Sequence, residues 1–309
     1  MSPDRLSGIF CPVLMPFHED LRPNADSLIR QCQWLLSQNV GLVLFGTTGE
    51  ANSLSVEEKI ELLDCLVDAG ISPDSIVPGT GCCALNDTVK LTRHAVGLGC
   101  AACLMLPPFF YKDVSDDGLF ASYAEVVERV GDEKLQIYLY HIPPIAQVGL
   151  SIDLIERLVR AYPDTIVGIK DSSGDWQNTL AILQRGWDDF RAFAGSENFL
   201  LRVMQNGGAG CISATANINP AAIDRLFAAW QKPQAAEMQE QLDAVREIVQ
   251  EYPIIPALKA VVASCSNDAA WKTVRPPLVT LSIERQGSLM NALDQLNFTM
   301  PGVGKSTSR

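Results

Sequence analysis

Eight short apolar runs punctuate the chain, at residues 8–14, 41–45, 75–78, 100–106, 136–140, 165–169, 190–193 and 210–213. They lack the polar alternation of half-exposed strands and suit strands buried on both faces, as in a parallel sheet. Amphipathic stretches of helical length lie between them. In residues 26–37, Leu28, Cys32, Leu35 and Leu36 share one side. A capping box, Ser55-Val-Glu-Glu58, opens a second helix that reaches residue 69. The alternation continues with helices expected over 87–98, 116–130, 151–161, 175–183, 198–205 and 220–230.

A strand followed by a helix, eight times in succession, predicts an α/β fold of the (β/α)8 barrel type. The other parallel arrangement, a doubly wound open sheet, would carry a glycine-rich phosphate turn after its first strand, and none is present. Helices are expected over 235–251, 255–264 and 281–296. Residues 1–230 therefore read as a barrel carrying the active site, and 231–309 as a C-terminal helical extension. Gly304-Lys-Ser-Thr307 looks like the end of a phosphate loop, but Thr299 stands where its leading glycine would be, so no phosphate site is read there.

Composition narrows the function. A net charge of −12 argues against a nucleic-acid partner or an anionic membrane surface. The cysteines number nine, and the single C-x2-C, Cys100 and Cys103, sits in an apolar run without a second pair at ligand spacing. That pair reads as small buried hydrophobes rather than a metal or redox site. No basic segment followed by an apolar stretch opens the chain, and no run has transmembrane length. The expected compartment is a reducing cytoplasm.

In such barrels the chemistry gathers at the C-terminal ends of the strands. Strand two runs into Gly46-Thr-Thr-Gly-Glu50, strand five ends in Tyr140-His-Ile-Pro-Pro144, and strand six ends in Gly168-Ile-Lys-Asp171. Most other lysines fall in helices, loops or the tail, where a solvated charge is the ordinary reading. Lys170 directly follows an apolar strand, where desolvation favours a nucleophilic amine that could attack a carbonyl. The competing reading is a structural lysine paired with Asp171. Thr47 and Thr48, with the backbone N–H groups of their glycine-bracketed turn, could accept a carboxylate, or could simply close the turn. Tyr140 could move protons beside Lys170, or could be packing. His141 is open in the same way, between a substrate contact and a satisfied buried histidine.

Together these motifs, with the Gly210-to-Asn217 stretch Gly-x-Ile-Ser-x-Thr-Ala-Asn, resemble the dihydrodipicolinate synthase / N-acetylneuraminate lyase family over nearly the whole chain. The resemblance implies a Schiff-base lysine at Lys170 and a proton-transfer phenol at Tyr140. It implies that Thr47 and Thr48 bind the substrate carboxylate, and that Thr48 relays protons to a second tyrosine, Tyr111, which reaches into a neighbouring subunit. Gly195 and Ile212 match positions lining a pyruvate pocket. It further implies a homotetramer, a dimer of dimers, acting on pyruvate or another 2-oxo acid with an aldehyde or keto-deoxy acid, without metal or organic cofactor. One position departs. Synthases of the family carry an arginine about five residues after the strand-five tyrosine, to hold the carboxylate of aspartate semialdehyde; here that residue is Ile145, which cannot make a charge-assisted contact. The expectation is thus an aldolase or dehydratase acting on a 2-keto-3-deoxy sugar acid or 4-hydroxy-2-oxoglutarate. The alternatives are an authentic 4-hydroxy-tetrahydrodipicolinate synthase, a catalytically silent 2-oxo-acid binder, and a barrel enzyme using Asp171 or Glu50 with a divalent ion.

Overall fold

A computed structural model describes residues 5–304. All eight expected strands form: β1 Gly8–Pro12, β2 Gly41–Leu44, β3 Ile76–Pro78, β4 Cys103–Met105, β5 Ile137–His141, β6 Ile166–Asp171, β7 Arg191–Ala194 and β8 Gly210–Ile212. They belong to one sheet, and helices alternate with them as in a (β/α)8 barrel. Several strands are shorter than their apolar runs; Val13 and Leu14 are buried but lie beyond the end of β1. Apolarity reports burial, and burial extends past the last ladder hydrogen bond.

The chain divides into two compact units. The first, residues 5–8 with 72–212, holds β3 to β8. Here β4 to β8 pair in parallel, each with the next, and a bridge from Gly79 to Leu104 ties in the end of β3. The Gly8 N–H donates to the Ala209 carbonyl at 2.8 Å. Gly210 permits that approach, because a Cβ there would lie 1.9 Å from the Gly8 carbonyl oxygen. The core of this unit lies between the sheet and its helices and includes Cys103, Leu139, Leu154 and Ile169. Cys103 is thus the buried hydrophobe that the sequence suggests. Burial pushes its thiol well above the usual range and raises that of Cys100 to about 11.

The second unit comprises residues 9–71 and 213–304. In it β1 and β2 pair in parallel, and the helices Ala25–Ser37 and Val56–Asp68 follow the patterns read from the sequence. Ser55 and Glu58 form both halves of the capping box. The C-terminal helices are Ala235–Gln250, Ile254–Ser266 and Ile283–Gln295. Asn217 locks the end of β1: its Oδ1 accepts from the Leu14 N–H at 2.9 Å, and its Nδ2 donates to the Pro12 carbonyl at 3.0 Å. Lys305 to Thr307 of the phosphate-loop-like tail lie outside the described residues. Among the described residues, no single helix is long and apolar enough to cross a membrane.

Candidate active site

Strand register brings the two principal groups together. In the β5–β6 ladder Tyr140 stands opposite Lys170, and His141 opposite Asp171. Side chains alternate along a strand, so Tyr140 and Lys170 share one face while His141 and Asp171 take the other. Lys170 is 3% exposed and Tyr140 4%. The Lys170 Nζ lies 3.3 Å from the Tyr140 hydroxyl and 4.3 Å from the centre of its ring. This close packing of strands depends on Gly168, where a Cβ would lie 2.4 Å from the Tyr138 ring and equally close to the Arg191 carbonyl oxygen.

Asp171 is not the partner of Lys170. Its carboxylate accepts from the Ser173 N–H at 2.9 Å, from Asn178 Nδ2 at 3.0 Å and from Thr179 Oγ1 at 2.6 Å. These bonds tie the end of β6 to the helix Trp176–Leu183. His141 is likewise engaged: its Nδ1 accepts from the Leu150 N–H at 3.0 Å. Burial holds its pKa below the usual histidine value, against the opposing pull of the Asp171 charge. A neutral imidazole protonated on Nε2 satisfies both facts. The structure therefore gives His141 a local role in holding the loop after β5.

Gly195 follows β7, and its N–H donates to the Asp171 carbonyl at 2.7 Å. A Cβ at this position would sit 2.0 Å from Ser172 Oγ, so only glycine fits. Ile212 is buried at the end of β8. Tyr111 lies in the loop after β4, 74% exposed and packed edge-on against the equally exposed Phe110, their ring centres 5.4 Å apart. Ile145 is 62% exposed on the short helical turn Pro143–Ala146. The Lys112 ammonium donates to the Ala146 carbonyl at 2.8 Å and also to the Phe109 carbonyl.

In the second unit, Gly46-Thr-Thr-Gly-Glu50 is a tight turn. The N–H groups of Gly49 and Ala51 both donate to the Gly46 carbonyl, and that of Glu50 to the Thr47 carbonyl. Gly49 is required there, because a Cβ would fall 2.6 Å from the Val13 carbonyl oxygen. Thr48 is buried. Glu50 is no open metal ligand: its Oε1 accepts from Lys259 Nζ at 2.5 Å and its Oε2 from the Arg275 N–H at 2.9 Å. Most of the other described lysines are exposed, as the sequence suggests, but Lys259 is 1% exposed and Lys59 4%. Helical spacing gives no hint of the Glu50–Lys259 pair, because its members are 209 residues apart. Among the described residues, no group of three or more His, Cys, Asp or Glu side chains could hold a metal ion.

The chain matches the Dihydrodipicolinate synthetase family over residues 5–296. It is 32% identical over 292 residues to a DapA-like lyase of Chloroflexus aurantiacus, covering 94% of this chain and 96% of that one. It is 30% identical over 295 residues to the 4-hydroxy-tetrahydrodipicolinate synthase of Methanococcoides burtonii, covering 94% and 98%. The crystal structure of dihydrodipicolinate synthase from Agrobacterium tumefaciens superposes with a TM-score of 0.87 at 31% identity, covering 94% of this chain and 99% of that one. Fold and family match together define a lyase on a (β/α)8 barrel, of the class I aldolase type. The chain belongs to the dihydrodipicolinate synthetase family.

Proposed function

We propose that Lys170 forms a Schiff base with a 2-oxo acid such as pyruvate, and that the enzyme makes or breaks a carbon–carbon bond, or dehydrates, through the resulting enamine. The observation that carries this reading is the buried Lys170–Tyr140 contact of 3.3 Å, with the neighbouring Asp171 carboxylate engaged elsewhere. The Lys170 amine adds to the keto carbon, and the carbinolamine loses water to give a protonated imine. That imine withdraws electrons from the adjacent carbon, which releases a proton and becomes the enamine nucleophile toward an aldehyde. Cleavage of a hydroxylated keto acid runs the same steps in reverse. The Tyr140 phenol supplies and removes the protons. The scheme needs neither a metal nor an organic cofactor.

In the same reading Thr47 and Thr48 take the substrate carboxylate. The N–H groups of Gly49 and Glu50 are already used within the turn, so this recognition rests chiefly on the two threonines. Thr48 also relays a proton between Tyr140 and a Tyr111 supplied by a neighbouring subunit of a homotetramer. Gly195 and Ile212 line the pyruvate pocket.

For the second substrate, Ile145 favours an aldolase or dehydratase acting on a 2-keto-3-deoxy sugar acid or 4-hydroxy-2-oxoglutarate. An exposed isoleucine offers nothing to the carboxylate of aspartate semialdehyde. A parallel assay of 2-keto-3-deoxygluconate and 4-hydroxy-2-oxoglutarate turnover, and of pyruvate condensation with aspartate semialdehyde, tests this. Turnover of a keto-deoxy or hydroxy-oxo acid with the higher kcat/KM is expected. A preference for aspartate semialdehyde would instead make the protein a 4-hydroxy-tetrahydrodipicolinate synthase, the activity named for the Methanococcoides burtonii relative.

A further inference from the structure

A dense cluster of buried charge in the second unit surrounds Glu50, at the end of the Gly46-Thr-Thr-Gly-Glu50 turn. The Glu50 side chain is 0% exposed and its Lys259 partner 1%, at 2.5 Å. Lys259 comes from the helix Ile254–Ser266. The other Glu50 oxygen takes the Arg275 N–H, while the Arg275 guanidinium holds Glu58 of the helix Val56–Asp68 and donates to the Leu21 carbonyl at 2.9 Å. The Phe17 ring lies against both cations, 4.6 Å from Lys259 Nζ and 4.8 Å from the Arg275 guanidinium carbon.

Two features point past a purely structural purpose. Glu50 has a φ of 53°, a left-handed conformation that a residue with a side chain holds only when its surroundings enforce it. A buried ion pair is also a poor way to gain stability, because well-packed apolar side chains of similar volume often do as well or better. What such a pair does supply is one defined geometry, and here it does so at a residue two positions from Thr48. Lys259 also cancels a negative charge that Glu50 would otherwise set close to a bound anion, where low dielectric makes repulsion costly.

We infer that Lys259 and Glu50 are a positioning pair, a buried clamp that fixes the Thr47-Thr48 turn for the substrate carboxylate and neutralises Glu50 beside it. The inference rests on the Schiff-base reading above, and one experiment separates the two. Borohydride trapping of pyruvate on the intact protein is followed by mass spectrometry across a pyruvate concentration series, for wild type, Lys259→Met, Glu50→Gln and the double variant Glu50→Gln/Lys259→Met. Thermal melting accompanies each, and the double variant leaves no lone buried charge to unfold the chain. The half-saturating pyruvate concentration should rise about tenfold or more in each variant, while the maximal trapping rate stays within about threefold, the signature of lost substrate positioning. Thr47→Ala should cost much less in the Lys259→Met background than in wild type, because both act through one turn. Unchanged half-saturation, or full additivity with Thr47→Ala, overturns the clamp. No trapping in wild type overturns the Schiff-base reading itself and removes the clamp's purpose with it.

Discussion

At the scale of single residues, the site consists of neighbours that differ only in which way they point. Lys170 and Asp171 are adjacent in sequence, yet Lys170 meets Tyr140 while Asp171 is bound by Ser173, Asn178 and Thr179. Position at a strand end was legible in the sequence. The choice between a reactive and a paired lysine was not, because it depends on bonds that Asp171 makes to a later helix. His141 shows the same limit: only the fold reveals that Leu150 occupies its Nδ1. A pH dependence follows from that bond. Burial lowers the folded-state pKa of His141, so below the ordinary value of 6.5 the unfolded chain takes up a proton that the folded chain refuses. Stability should therefore fall as pH drops through that value, and level off once the lower folded value is passed. Thermal melting between pH 7.5 and 5, chosen to span about the ordinary histidine value, should show a steeper loss for wild type than for His141→Gln. Identical slopes would mean that His141 is not held neutral.

Among the elements, the hydrophobic pattern located all eight strands, and it did so because each is buried on both faces. It overran their ends, as at Val13 and Leu14, since burial does not distinguish a strand from the loop that leaves it. It also passed over the short helical turn Pro143–Ala146, too brief for any 3.6-residue period. Register is what converts these elements into a site, and in the β5–β6–β7 region it relies on Gly168. Gly168→Ala would drive a Cβ to within 2.4 Å of the Tyr138 ring and of a backbone oxygen of β7. The ring could turn, but the strand oxygen could not without shifting the ladder. A loss of about 1–3 kcal/mol of stability is expected, measured from denaturant midpoints. An unchanged midpoint would show that the Gly168 contact does not hold the strands at this spacing.

For the whole molecule, the family resemblance carried information that no single motif could. Thr47, Tyr140 and Lys170 are individually ordinary residues, and only their order along a barrel-type chain made them specific. The long-range network of Glu50, Lys259, Arg275 and Glu58 stayed invisible because its members lie on segments far apart in sequence. The exposed Phe110–Tyr111 pair raises a question at this scale, since two large aromatic rings in solvent call for a partner surface. If Tyr111 completes the site of a second subunit, Tyr111→Phe should lower turnover by about tenfold to a hundredfold without changing the melting temperature. Turnover per subunit should also fall on dilution in step with dissociation seen by analytical ultracentrifugation. Activity insensitive to both would place Tyr111 outside the relay.

The central claim is that Lys170 is the covalent nucleophile. Its most direct test is incubation with pyruvate and borohydride, then intact-mass spectrometry and peptide mapping. One pyruvyl adduct per chain on Lys170, absent from Lys170→Ala, is the predicted result. An adduct on another lysine, or none with pyruvate or any larger 2-oxo acid, would contradict it.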